Sequence, residues 1–108
     1  GAPCVGVSDG DLPDRPGGLD AALGVVGQRW ALLIVDRLRE GALRYGDLQR
    51  ELGIPTNILA TRLRELEQAE VLRRIPLTHN TRAYELTPRG LALGEALDAL
   101  RQWGEGIT

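Results

Sequence analysis

Apolar residues recur at helical spacing along most of this chain and give way in one region to short runs rich in branched side chains. Leu19, Leu23 and Val26 predict a first helix that ends at Gly27. Trp30, Leu33, Ile34 and Leu38 form the stripe of a second helix, stopped by Gly41. Trp30 reads as a core anchor, because large aromatics at this spacing usually fill cores. After an extended piece over 42–45, Leu48 and Leu52 mark a two-turn helix that Gly53 ends. The next helix follows within three residues, either capped by Thr56 or carrying Pro55 in its first turn, and buries Leu59, Leu63 and Leu66. Two short helices joined by a tight glycine-containing turn make a helix-turn-helix.

Two runs, 71–77 and 82–87, flank the polar stretch Thr78, His79, Asn80 and Thr81, which predicts a hairpin with an exposed tip. Thr87 and Pro88 supply an N-cap and a first-turn proline for a last helix. That helix carries Leu91, Leu93, Leu97, Leu100 and Trp103 with alanines between them, a wider apolar surface than the roughly 100° stripe one core requires. A second covered face implies a partner, most simply another copy. The expected architecture is mainly α with a small β-hairpin wing (α+β). It is a winged helix-turn-helix over 18–108, dimerised through its first and last helices by Leu19, Leu23, Leu93, Leu97, Leu100 and Trp103. Residues 1–17, with Pro3, Pro13 and Pro16 among Gly and Asp, read as a flexible tail.

Length and composition narrow this further. The chain has 108 residues, enough for one core, and no apolar stretch long enough to cross a bilayer, so a cytoplasmic protein is expected. One cysteine, Cys4, and one histidine, His79, are too few for a structural zinc site. The net charge of -2 conceals an uneven distribution: residues 37–89 hold ten Arg against seven acids, whereas both flanks are acidic. A basic middle suits contact with nucleic acid.

Four local motifs carry a resemblance. Val26-Gly27-Gln28-Arg29-Trp30-Ala31-Leu32-Leu33-Ile34 is similar to the Ile-Gly-Gly-Lys-Trp-Thr-Leu-Leu-Ile signature of HxlR-type regulators. Leu43-Arg44-Tyr45-Gly46-Asp47-Leu48 resembles that family's Arg-Phe-x-Glu-Leu segment. Leu59-Ala60-Thr61-Arg62-Leu63-Arg64-Glu65-Leu66-Glu67 resembles its recognition helix, and Tyr84-Glu85-Leu86-Thr87-Pro88-Arg89-Gly90 its strand-to-helix turn. The resemblance, within the wider MarR-like group, implies a dimeric transcriptional regulator whose first and last helices pair. Three departures stand out. Gly17 occupies the place of a cysteine that many members carry, Glu70 replaces the usual Gly, and Pro55 the usual capping Ser. Cys4 lies in the tail without a basic neighbour and reads as an incidental thiol rather than a redox switch.

A recognition helix needs short or hydrogen-bonding side chains outward, so that its backbone can approach the base edges. Thr56, Asn57, Ala60, Thr61 and Arg64 lie opposite the leucine stripe, with Arg62 beside them. The bland alternative is a solvated face on which Arg62 and Arg64 pair with Glu65 or other acids at helical spacing. Asn80 and Arg82 would bring the wing to a minor groove or a phosphate. Arg44 would clamp a phosphate or, equally, pair with Asp47. The partners expected are therefore double-stranded DNA and a second copy, with a small-molecule effector accommodated in a cleft lined partly by Trp30. No cofactor or metal is called for. The competing reading is a winged-helix module that binds protein. With one His, a tail Cys and no glycine-rich phosphate loop, the usual catalytic constellations are absent, so an enzyme is not expected.

Overall fold

The computed structural model describes residues 17–77 and 81–107. The tail expected over 1–17 lies outside them apart from Gly17, as do Cys4, His79 and Asn80. The elements run α1 (Gly18–Val26), α2 (Ala31–Leu38), β1 (Leu43–Arg44), α3 (Tyr45–Leu52), α4 (Thr56–Gln68), β2 (Leu72–Pro76), β3 (Arg82–Leu86), α5 (Pro88–Leu91) and α6 (Gly94–Glu105). The sheet is antiparallel in the order β1-β3-β2. Among the described residues no single helix is long and apolar enough to cross a membrane.

One core holds the domain together. Ile34 and Val35 from α2, Leu48 from α3, Ile54 from the turn, Leu59, Leu63 and Leu66 from α4, and Leu72 from β2 are all nearly inaccessible. The leucine stripe of α4 is buried as its spacing predicts. The stripe of α2 is rotated from the predicted one: Ala31, Ile34, Val35 and Leu38 face the core and Leu33 faces out. Trp30 explains the shift. It takes a left-handed conformation (φ 80°) at the N-cap, so the helical row starts at Ala31, and its ring packs against the edge of the core rather than within it.

The start of α4 also differs from both expected options. Pro55 is the N-cap itself and Thr56 the first helical residue, without a side-chain capping bond. The piece over 42–45 contains β1, which pairs Leu43 with Tyr84 and Arg44 with Ala83, so the two-stranded wing gains a third strand. The single last helix is two, because the chain turns at Ala92 and Leu93.

Thr87 anchors this C-terminal part. Its hydroxyl donates to the Glu70 carbonyl at 2.6 Å and accepts from Gly90 N–H at 3.1 Å, while its own N–H donates to the Val71 carbonyl at 3.1 Å. Gly90 is required here, since a Cβ would lie 2.1 Å from the Val71 carbonyl oxygen. Farther along, α6 is fixed to α2 by an alternating quartet. Arg39 reaches Asp98 at 2.9 Å and Asp36 at 3.5 Å, and Arg101 reaches Asp36 at 2.7 Å and Asp98 at 3.6 Å. The hydrogen bond from Arg39, with both arginine charges, holds the Asp98 carboxyl below its ordinary value.

Candidate nucleic-acid interface

The two helices of the motif are set by their turn. Gly53, at φ 67°, caps α3 in the left-handed region that glycine adopts without strain, and buried Ile54 pins the turn to the core. Tyr45, at the start of α3, donates its hydroxyl to the Thr56 carbonyl at 2.5 Å and fixes the first turn of α4. On the outer face of α4, Thr56, Asn57 and Arg64 are exposed, and Ala60 and Thr61 are half-buried. Thr61 donates its hydroxyl to the Asn57 carbonyl at 3.0 Å, which leaves its oxygen lone pairs as the outward function. Arg62 is turned to another task. Only 18% of its side chain is exposed, and it holds the Arg29 carbonyl at 3.1 Å and Glu65 at 2.9 Å, tying α4 to the turn before α2.

The pairing of charges singles out the remaining arginines. Glu65, one of the acids considered for Arg64, is taken by Arg62, and Asp47, considered for Arg44, is taken by Arg50 at 2.5 Å. Arg37 with Glu51, Arg73 with Glu85 and Arg74 with Glu67 are also matched, and Arg29 lies over the Trp30 ring. Among the described residues, Arg44, Arg64, Arg82 and Arg89 are left with neither a carboxylate nor a ring partner. The first three lie at the start of α3, on the outer face of α4 and on the wing. Guanidiniums left without an internal acceptor are ready to donate to an external one.

Strand register orders the wing. Arg74 stands opposite Tyr84, and Pro76 opposite Arg82, so Arg74, Tyr84 and Arg82 share the sheet face that carries buried Leu72 and Leu86 toward α4. Arg44, opposite Ala83, belongs to the other face. Between α4 and the sheet lies a notch of about 360 Å³ lined by Tyr45, Ala60, Arg64, Glu67, Arg74 and Tyr84, among others. Sequence reasoning assigned no role to Arg74. Its signal was available, since counting by two from Leu72 places it on the helix-facing side.

The expected dimer residues divide into two groups. Leu19 (73% exposed), Leu23 (50%), Leu100 (48%) and Trp103 (70%) lie open, as does Leu33. Leu97 is only 7% exposed and Leu93 is half-buried against the core, so both are used within the protomer. Leu93 is the N-cap residue of α6 and Leu97 lies one turn into it, on the side that packs against the core. A cavity of about 180 Å³ between α1 and α5 is lined by Val25, Val26, Val71, Arg89 and Leu93, among others.

Residues 25–108 match the family model described as HxlR-like helix-turn-helix. An uncharacterised HTH-type transcriptional regulator of Mycobacterium tuberculosis is 41% identical over 86 residues, 78% of this chain and 54% of the relative. The chain thus spans about half the length of that mycobacterial protein. Among solved structures, the HTH-type transcriptional regulator YtcD superposes with a TM-score of 0.80 at 33% identity, covering 85% of this chain and 97% of its own. The reduced form of the regulator YodB from Bacillus subtilis gives 0.74 at 30% identity, covering 84% and 92%.

Proposed function

We propose, from the premise that this chain belongs to the HxlR-like helix-turn-helix family, that it is a sequence-specific DNA-binding regulator acting as a homodimer and repressing transcription from an inverted-repeat operator. The observation that carries the reading is the set of arginines without internal partners, Arg44, Arg64 and Arg82, spread over the α3 start, the α4 outer face and the wing. A protein-binding module would have no need to hold these charges open along a face of Thr and Asn. In this reading Asn57 pairs with adenine, Arg64 with guanine, and Ala60 meets a thymine methyl. Arg44 and Arg82 hold phosphates, joined by Asn80 at the wing tip, which lies outside the described residues. Thr56 and Thr61 contribute oxygen acceptors at the groove.

The exposed apolar row on α1 and α6 supports pairing with a second copy. Two copies related by a twofold axis present recognition helices to successive major grooves about 34 to 36 Å apart, which is why an inverted repeat is the matching site. Occupancy of a promoter then excludes polymerase. The cavity beside Arg89 and Val71 offers a place for a small effector, whose binding would act by shifting the spacing of the two helices.

The test is fluorescence-anisotropy titration with the duplex upstream of the chain's own gene beside a scrambled duplex, at two salt concentrations. A scrambled-site penalty of about 4 kcal/mol or more is the expected result. Equal, salt-labile binding to both duplexes would reduce the protein to a non-specific binder. No binding at either salt would favour the protein-interaction module.

A further inference from the structure

Arg74 stands where the recognition helix meets the wing, and nothing in the contacts assigned above uses it. Its Nε donates to a Glu67 carboxylate oxygen at 3.0 Å across the notch between α4 and the sheet. Arg64 lines the same notch without a carboxylate of its own. Two guanidiniums against one carboxylate leave a local surplus of positive charge. Tyr84 also lines the notch, and the Tyr45 proton is given to the Thr56 carbonyl. The Arg74 and Glu67 side chains are 47% and 34% exposed, so their pair is of the solvated kind that contributes little and exchanges readily.

We infer that this notch is a seat for a backbone phosphate of the duplex, an inference that rests on the DNA-binding reading. Arg74 and Arg64 grip the phosphate oxygens, and Glu67 is the placeholder that occupies Arg74 in the free protein. A guanidinium presents the same fork of N–H donors to a phosphate as to a carboxylate, so Arg74 keeps its charge-assisted bonds when it changes partner. The phosphate satisfies Arg64 as well, which Glu67 does not. Once displaced, the Glu67 carboxylate lies beside a like charge. It therefore lowers affinity and restrains binding to arbitrary DNA. The strand register agrees, since Arg74, Tyr84 and Arg82 share the face toward α4. A phosphate seated there lies between the bases read by the helix and the groove entered by the wing.

The experiment is a double-mutant cycle. Wild type, Arg74→Ala, Glu67→Gln and the double variant are titrated across a salt series against a mixed-sequence duplex of about three helical turns. Thermal melts verify folding, and Arg74→Lys serves as a charge-retaining control. Arg74→Ala is expected to weaken binding about five- to tenfold and to lower the slope of log K against log salt by about one, with Arg74→Lys keeping the slope. Glu67→Gln should tighten binding about two- to fivefold, and that gain should be clearly smaller when Arg74 is already Ala, because only the like-charge repulsion is then left to relieve. An unchanged slope in Arg74→Ala, or an equal gain from Glu67→Gln in both backgrounds, overturns the phosphate seat while wild-type binding keeps the DNA reading intact. A wild-type chain that binds no duplex removes both.

Discussion

At Glu70 the chain leaves α4 with φ at +63°, in the region where an L side chain crowds the backbone at a cost of about 1–2 kcal/mol. The surrounding bonds explain why the turn persists. Val71 N–H donates to the Leu66 carbonyl at 2.9 Å and Glu70 N–H to the Glu67 carbonyl at 3.0 Å, the Schellman closure in which the left-handed place normally belongs to glycine. The departure visible in the sequence, Glu for Gly, is therefore a strained residue in a glycine geometry. Glu70→Gly is expected to raise stability by about 1 kcal/mol and the melting temperature by several degrees, read from thermal unfolding by circular dichroism. Arg64 supplies a second test at this scale. With Glu65 engaged elsewhere, Arg64→Ala should cost about 1–3 kcal/mol at one operator base, whereas Arg82→Ala should weaken all duplexes alike and flatten the salt slope.

Between elements, the quartet of Asp36, Arg39, Asp98 and Arg101 bridges α6 to α2 beside the buried Leu97. Asp98 has its pKa lowered in the folded protein, chiefly by the hydrogen bond from Arg39. The unfolded chain therefore takes up this proton first as pH falls. The contribution is complete above the ordinary value of 3.8 and is lost as pH drops through the lower folded value. Unfolding curves collected from pH 6 downward should show this acid-side slope, and Asp98→Asn should remove that part of it. Legibility at this scale was uneven. The leucines of α4, the hairpin and the Thr87 cap could be read because each is a local, periodic signal. A two-residue β1 has no period to read and exists only through its pairing with β3. The outward turn of Leu33 and the break before α6 depend on the backbone at Trp30 and on packing against Arg39, which lies 3.3 Å from where a Cβ on Gly94 would stand.

At the level of the whole molecule, the proposed dimer can be tested without cutting the chain. Removing α6 would also remove Leu97 from the core and confuse dissociation with unfolding. Leu23→Glu with Trp103→Glu avoids this, because those side chains are 50% and 70% exposed in the protomer. Sedimentation velocity should report half the wild-type mass with unchanged helix content, and operator affinity should fall by about a hundredfold or more as the two half-sites lose their linkage. A persistent dimer would place the contact elsewhere. The knot of bonds at Thr87 has a consequence for how such an assembly could be switched. The end of α4 and the start of α5 share one joint, because Thr87 is engaged by both its hydroxyl and its amide and Gly90 packs so close to the Val71 carbonyl that no side chain fits there. In the proposed dimer, a twist imposed on α6 by the second copy would reach the end of α4 through that joint unless the turn at Ala92 and Leu93 takes it up.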